Sequence, residues 1–184
     1  MTDPQPVQKE QLLVISALGT DQPGIVNELS KVCTDFGCNI VDSRMAVLGG
    51  EFAVIMLVSG TWDAVAKLEA AVPAVARKLD LNTLVRRTER KPAETRVPYN
   101  VSVVALDHPG IVHEISRFFA ERHINIEALE TSTYAAPHTG TTMFNLTMTV
   151  NVPADASIGR LREEFLMFCD DLNLDAVLEP ARPY

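Results

Sequence analysis

The sequence is short of positive charge, short of cysteine and free of long apolar runs. Its 184 residues carry 16 Lys and Arg against 24 Asp and Glu, a formal net charge of −8. No general positive field attracts phosphates, so direct binding to nucleic acid is not expected. No run approaches the roughly 18 apolar residues that span a bilayer. The opening Met1-Thr2-Asp3-Pro4-Gln5-Pro6 has neither the basic nor the apolar segment of a leader. A cytoplasmic protein without membrane contact is the expectation. The three cysteines, Cys33, Cys38 and Cys169, are an odd number and read as reduced, mostly buried small hydrophobes. Nucleophile elbows, P-loops and Cys/His metal spacings are missing too, so no catalytic residue, metal or cofactor is expected.

What is present is an internal repeat. Asp21-Gln22-Pro23-Gly24-Ile25-Val26-Asn27-Glu28-Leu29-Ser30 recurs as Asp107-His108-Pro109-Gly110-Ile111-Val112-His113-Glu114-Ile115-Ser116, identical at seven of ten positions. The same offset of 86 carries Asn39-Ile40 onto Asn125-Ile126 and Ser16 onto Ser102. Solenoid units run about 20–50 residues, so this period belongs to a duplicated domain.

Each copy gives the same order of elements. In the first, the apolar run Leu12 to Leu18 reads as a central strand, and Ile25, Leu29, Val32 and Phe36 stand at helical spacing. Strand-like runs from Ile40 to Leu48 and Phe52 to Ser59 flank Gly49-Gly50, a two-residue hairpin signal. Thr61 reads as the N-cap of a second helix, which Pro73 should kink or restart, and Leu81 to Arg87 as a last strand. The second copy repeats the pattern with strands near Tyr99 to Leu106, Ile126 to Tyr134, Thr142 to Val152 and Leu174 to Leu178, and helices at Pro109 to Glu121 and along Ile158, Leu161, Phe165, Phe168 and Leu172. The chain is therefore read as α+β, two tandem ferredoxin-like βαββαβ domains with antiparallel sheets and helices on one face. The boundaries are 10–88 and 97–180, joined by a polar, proline-interrupted linker at 89–96. Both alternating sets of the strand Phe52 to Val58 are apolar, which predicts burial on both faces. Its counterpart alternates cleanly between Phe144, Leu146, Met148 and Val150 and a more polar set. The halves are expected to pack on each other or on a second chain, the first domain the more deeply buried.

The motif Asp-x-Pro-Gly-Ile-Val lies at a strand-to-helix junction. Asp21 and Asp107 are in position to cap the following helices by accepting from the amides of Gly24 and Gly110, and the prolines withhold a donor that would otherwise be unpaired. The repeated glycine is left to explain, since glycine in a first helical turn costs about 0.5–1 kcal/mol relative to alanine. Close approach of another backbone, in domain packing or by a small ligand, would account for it. Helix N-termini also attract anions. Asn39 and Asn125 carry both a donor and an acceptor; they either end a turn or, near such amides, hold the carboxylate and ammonium of an amino acid. His108 and His113, beside Asp107 and Glu114, could form a metal or acid–base cluster, but the first copy has Gln22 and Asn27 at those positions.

The Asp-x-Pro-Gly-Ile-Val signature followed by Asn-Ile at the next strand resembles the ACT domain, a small module that binds amino acids. Two such units filling a chain of this size are most similar to the glycine cleavage system transcriptional repressor group. The resemblance implies ligand binding at ACT–ACT interfaces. By position it implies Asp21, Pro23, Gly24, Ile25, Asn39 and Ile40 in one half and Asp107, His108, Gly110, Ile111, Asn125 and Ile126 in the other. It further implies glycine as the ligand and, as partner, a separate DNA-binding activator of the LysR type, with a homodimer also compatible. Serine phosphatases and formyltetrahydrofolate deformylases carry similar units, and the chain leaves no room for either catalytic domain. A regulatory subunit of a metabolic enzyme and a ligand-free interaction module remain as alternatives. The segment Thr131 to Gly140 replaces the tight Gly-Gly hairpin of the first half, so two inequivalent sites are expected.

Overall fold

The computed structural model describes residues 10–90 and 96–181, and the chain divides into two compact units, Met1–Pro92 and Ala93–Tyr184. The first contains β1 (Gln11–Thr20), α1 (Ile25–Asp35), β2 (Asn39–Leu48), β3 (Glu51–Gly60), α2 (Trp62–Lys78) and β4 (Leu81–Thr88). The second contains β5 (Arg96–Leu106), α3 (Ile111–Glu121), β6 (Asn125–Ala135), β7 (Thr142–Pro153), α4 (Ile158–Asp171) and β8 (Asp175–Pro180). Each is a βαββαβ unit whose antiparallel sheet has the order β2-β3-β1-β4 or β6-β7-β5-β8. Of the linker anticipated at 89–96, positions 91–95 lie outside the described residues.

Period-two alternation decides which face of each sheet meets the helices. In the first unit Leu13, Ile15 and Ala17 of β1 and Phe52, Val54, Met56 and Val58 of β3 are buried beneath Ile25, Leu29 and Val32 of α1 and Val65, Leu68 and Val72 of α2. In the second, Val101, Val103, Leu146, Met148 and Val150 pack against Ile111, Ile115, Phe118 and Phe119 of α3 and Leu161 and Phe165 of α4. The rings of Phe118, Phe119 and Phe165 meet with centroids 5.2–5.3 Å apart, in edge-on and tilted contacts. The repeat offset places Val32 and Cys33 opposite Phe118 and Phe119. The two cores thus share a topology and differ in filling: the second carries a cluster of three phenylalanine rings between its helices where the first has Val32 and Cys33 in place of two of them.

The other sheet face departs from expectation. Ile55 is 51% exposed, and Ala53 and Leu57 are only partly covered, so β3 is not buried on both sides. Its apolar outward set forms an open surface. Pro73 does not restart the helix: α2 runs through it as a single element to Lys78. The ring takes an exposed position on that helix while the neighbouring Val72 is buried. Thr61 does cap α2, accepting from the amide of Ala64 at 3.3 Å, and Gly49 and Gly50, with φ of 62° and 88°, form the primed turn their sequence predicts. Each helix leaves through a left-handed residue, Gly37, Asp80, His123 or Asn173.

All three cysteines are free and buried. Burial pushes the Cys33 thiol up to about 11 and that of Cys169 to about 12, and raises Cys38 as well. They remain protonated thiols in the folded chain, without the thiolate character of reactive cysteines.

Candidate functional site

The repeated motif occupies the loop between the central strand and the first helix of each unit. Gly24 is the N-cap of α1 at φ 99° and ψ −11°, and Gly110 that of α3 at φ 102° and ψ −14°. An L residue in this left-handed region pays about 1–2 kcal/mol. That requirement, and not a crowded neighbourhood, explains both glycines: a Cβ built on either meets nothing within 4 Å. Both also lie outside the first helical turn expected from the sequence, at the N-cap.

The anticipated aspartate caps are not formed. Neither helix receives a side-chain cap. Asp21 and Asp107 instead anchor their loops through the backbone, donating their amides to the carbonyls of Gly50 at 3.0 Å and Thr142 at 3.1 Å. The left-handed glycine turns the chain too early for the aspartate to reach the first turn, leaving the first amides of each helix uncapped by any side chain. Pro23, Asp21, Asp107 and His108 are exposed, whereas Ile25 and Ile111 point into the cores as the first buried residue of each helix.

The two loops are held by different side chains. Gln22 donates its amide to the carbonyl of Leu79 at 2.7 Å, tying the loop to the C-terminal end of α2. His108 at the matching position lies 3.1 Å from the carbonyl of Pro109, within its own loop. In the second unit the Glu114 carboxyl is held below its ordinary range, chiefly by the hydrogen bond from Arg117. Among the described residues no three His, Cys, Asp or Glu side chains are gathered to hold a metal ion.

The asparagines stand elsewhere. Asn39 pairs with Ser59, which pairs with Leu12 near the beginning of β1; the glycine loop follows Thr20 at its end. Asn125 pairs with Asn151, opposite Pro98, while its loop follows Leu106. Eight residues of strand, about 26 Å, separate loop and asparagine in both units. Ile40 and Ile126 sit beside the asparagines, partly buried on the helix side of the sheet. Each unit therefore gathers Asp, Pro and Gly at one end of its sheet and Asn at the other.

The neighbours of the glycine loops are a feature that sequence spacing did not supply. The bonds from Asp21 to Gly50 and from Asp107 to Thr142 set each motif beside the β2–β3 or β6–β7 hairpin. In the first unit that hairpin is the tight Gly49-Gly50 turn. In the second, β6 continues to Ala135 and a longer connection carrying Pro137 and His138 precedes β7. The surroundings of the two motifs are accordingly inequivalent.

Comparison with known proteins agrees with this geometry. ACT-domain family models match residues 11–86 and residues 99–166. The glycine cleavage system transcriptional repressor of Escherichia coli strain K12 is 35% identical over 169 residues, covering 91% of this chain and 88% of the relative. A crystal structure of a candidate glycine cleavage system transcriptional repressor superposes with a TM-score of 0.70 at 32% identity, covering 95% of this chain and 99% of that one. An unknown protein from Galdieria sulphuraria superposes with a TM-score of 0.74 at 30% identity, over 95% of this chain and 100% of the other. No helix among the described residues is long and apolar enough to cross a membrane. With two βαββαβ units, the repeated Asp-x-Pro-Gly-Ile-Val loop and these likenesses, the chain belongs to the ACT-domain family as a tandem member of the glycine cleavage system transcriptional repressor group.

Proposed function

We propose that this protein is a non-catalytic cytoplasmic regulator that senses a small amino acid, glycine, and acts on transcription through a protein partner, a DNA-binding activator of the LysR type. The observation that carries this reading is the full-length likeness to the Escherichia coli repressor, joined to a loop that presents uncapped helix amides in both units. The net charge of −8 favours an indirect role, because genetic control without a basic surface needs another protein to hold the DNA.

The ligand site is split. Within one unit the glycine loop and the asparagine are separated by far more than the length of a free amino acid. One ligand therefore contacts the loop of one ACT unit, through amides before Ile25 or Ile111, and the Asn39 or Asn125 side chain of another. The amides serve the carboxylate and the asparagine oxygen accepts from the ammonium. Such a ligand binds only when two units are correctly placed, so it stabilises that placement. A complete switch from 1:99 to 99:1 requires about 5.5 kcal/mol of differential binding, which two coupled sites supply more readily than one.

Thermal denaturation of the full chain against a panel of free amino acids tests the sensing. Glycine should raise the midpoint, reaching about 2.7 kcal/mol of added stability at a hundred times its Kd. No shift with any amino acid would refute it. Recovery of the activator by the immobilised protein, with and without glycine, tests the output. Equal recovery would remove the switch.

A further inference from the structure

The two glycine loops are braced unequally, and the difference begins in β1. Gly19, next to the end of that strand, pairs with Leu81 of β4. A Cβ built on it would lie 2.5 Å from the carbonyl oxygen of Asp80 and 2.9 Å from the Leu81 side chain, so only glycine admits the α2–β4 turn this close. Asp80 completes that turn in the left-handed region at φ 54°. The turn brings the carbonyl of Leu79, the C-cap residue of α2, within 2.7 Å of the Gln22 side-chain amide. The last carbonyls of a helix lack partners within it, and Gln22 supplies one from the loop.

The first loop is thereby held at consecutive residues, Asp21 to the hairpin at Gly50 and Gln22 to the end of α2. In the second unit the repeat offset puts Ala105 at the position of Gly19 and His108 at that of Gln22. The methyl group of Ala105 excludes an equally close approach, and the β5–β8 pairing stops at Val104–Asp175, one step short of where the first unit's pairing ends. His108 lies against the carbonyl of Pro109 in its own loop. Among the described residues no side-chain bond joins this loop to the α4–β8 turn.

We propose that Gln22 is a positioning residue: it holds the first glycine loop in its binding shape before ligand arrives, so that an amino acid occupies the first unit's loop before the second's. The inference rests on the sensing role proposed above. A site whose competent shape is only partly populated binds more weakly in proportion to that population. One net hydrogen bond is worth about two- to tenfold in such a population. The second loop, which the ligand itself must order, then fills at a correspondingly higher glycine concentration.

Gly24 and Gly110 carry one backbone amide in each loop, and magnetic resonance of the isotopically labelled full chain reads the two separately. Without ligand, the Gly24 amide should have the higher order parameter. Gln22→Met, similar in shape and without a donor, should lower it toward that of Gly110. Titrated with glycine, Gly24 should reach half its shift at a concentration about two- to tenfold below Gly110. Gln22→Met should close that gap by raising the Gly24 midpoint while moving Gly110 less. Gln22 is exposed, so the variant should keep its thermal midpoint and circular dichroism, which separates positioning from folding. Gly19→Ala, displacing the turn without altering the loop, should act in the same direction. Equal order parameters in the two loops overturn the proposal. So does a Gln22→Met chain in which the Gly24 midpoint stays in place or both midpoints move together. A chain in which neither amide responds to any amino acid refutes the sensing role and the filling order with it, while the order parameters still decide whether Gln22 holds the loop.

Discussion

Gly110 and Gly159 lie in the same unit, and a Cβ built on either meets nothing within 4 Å, yet replacing them by alanine should move stability in opposite directions. With no neighbour to clash, only the backbone decides. Gly110 sits at φ 102°, where an L residue costs about 1–2 kcal/mol. The lower entropy of the unfolded alanine chain offsets a few tenths of that, leaving Gly110→Ala destabilised by about 1 kcal/mol or more. Gly159 is the second residue of α4, in helical conformation. Gly159→Ala should therefore stabilise by about 0.5–1 kcal/mol. The difference of about 2 kcal/mol corresponds to a separation on the order of 1 M between their urea midpoints, at unchanged slope. If Gly110→Ala is neutral or stabilising, the left-handed N-cap is not the reason for the repeated glycine.

Other outcomes follow from the cores and helix ends. Phe165 is fully buried among Phe118 and Phe119, so Phe165→Ala should cost about 3–5 kcal/mol in chemical denaturation; a loss below about 1 kcal/mol would contradict the packing. His123 holds a left-handed position at φ 55° that its repeat partner Gly37 occupies at φ 70°. His123→Gly should raise stability by about 0.5–1 kcal/mol, and a lower melting midpoint would argue against backbone strain there. The folded pKa values of Cys33, about 11, and Cys169, about 12, stand above the ordinary 9.0 because burial disfavours the thiolate. The unfolded chain loses these protons first, so their contribution is complete below about pH 9 and declines as pH rises toward 11–12. Denaturation midpoints should fall across that window, and less so in Cys33→Ala with Cys169→Ala. At neutral pH, a thiol reagent should modify all three cysteines in denaturant and react slowly with the native chain.

The duplication was legible because its markers act locally. Gly49-Gly50 specifies its turn through φ alone, Thr61 caps the helix beside it, and the alternation of β1 and β3 sorts one sheet face from the other. Readings failed where local chemistry met a constraint set elsewhere in the fold. Asp21 has the right side chain to cap α1, but the left-handed Gly24 takes the N-cap and a backbone bond to Gly50 holds the aspartate in the loop. Pro73 is a helix breaker by propensity, yet the packing of Val65, Leu68, Val72 and Ala76 carries α2 past it. Asn39 follows the glycine by only 15 positions, but α1 carries the chain back along the sheet before β2 begins, so closeness in sequence becomes distance in space.

The split amino-acid site we propose is tested most directly by calorimetric titration of glycine into the full chain and into the Asn39→Ala, Asn125→Ala double variant. The wild type should give saturable heat, and the variant should lose it while keeping its circular dichroism, because exposed asparagines at strand starts contribute little to the fold. Absence of saturable heat from glycine and every other amino acid, or equal binding by both proteins, would contradict the account.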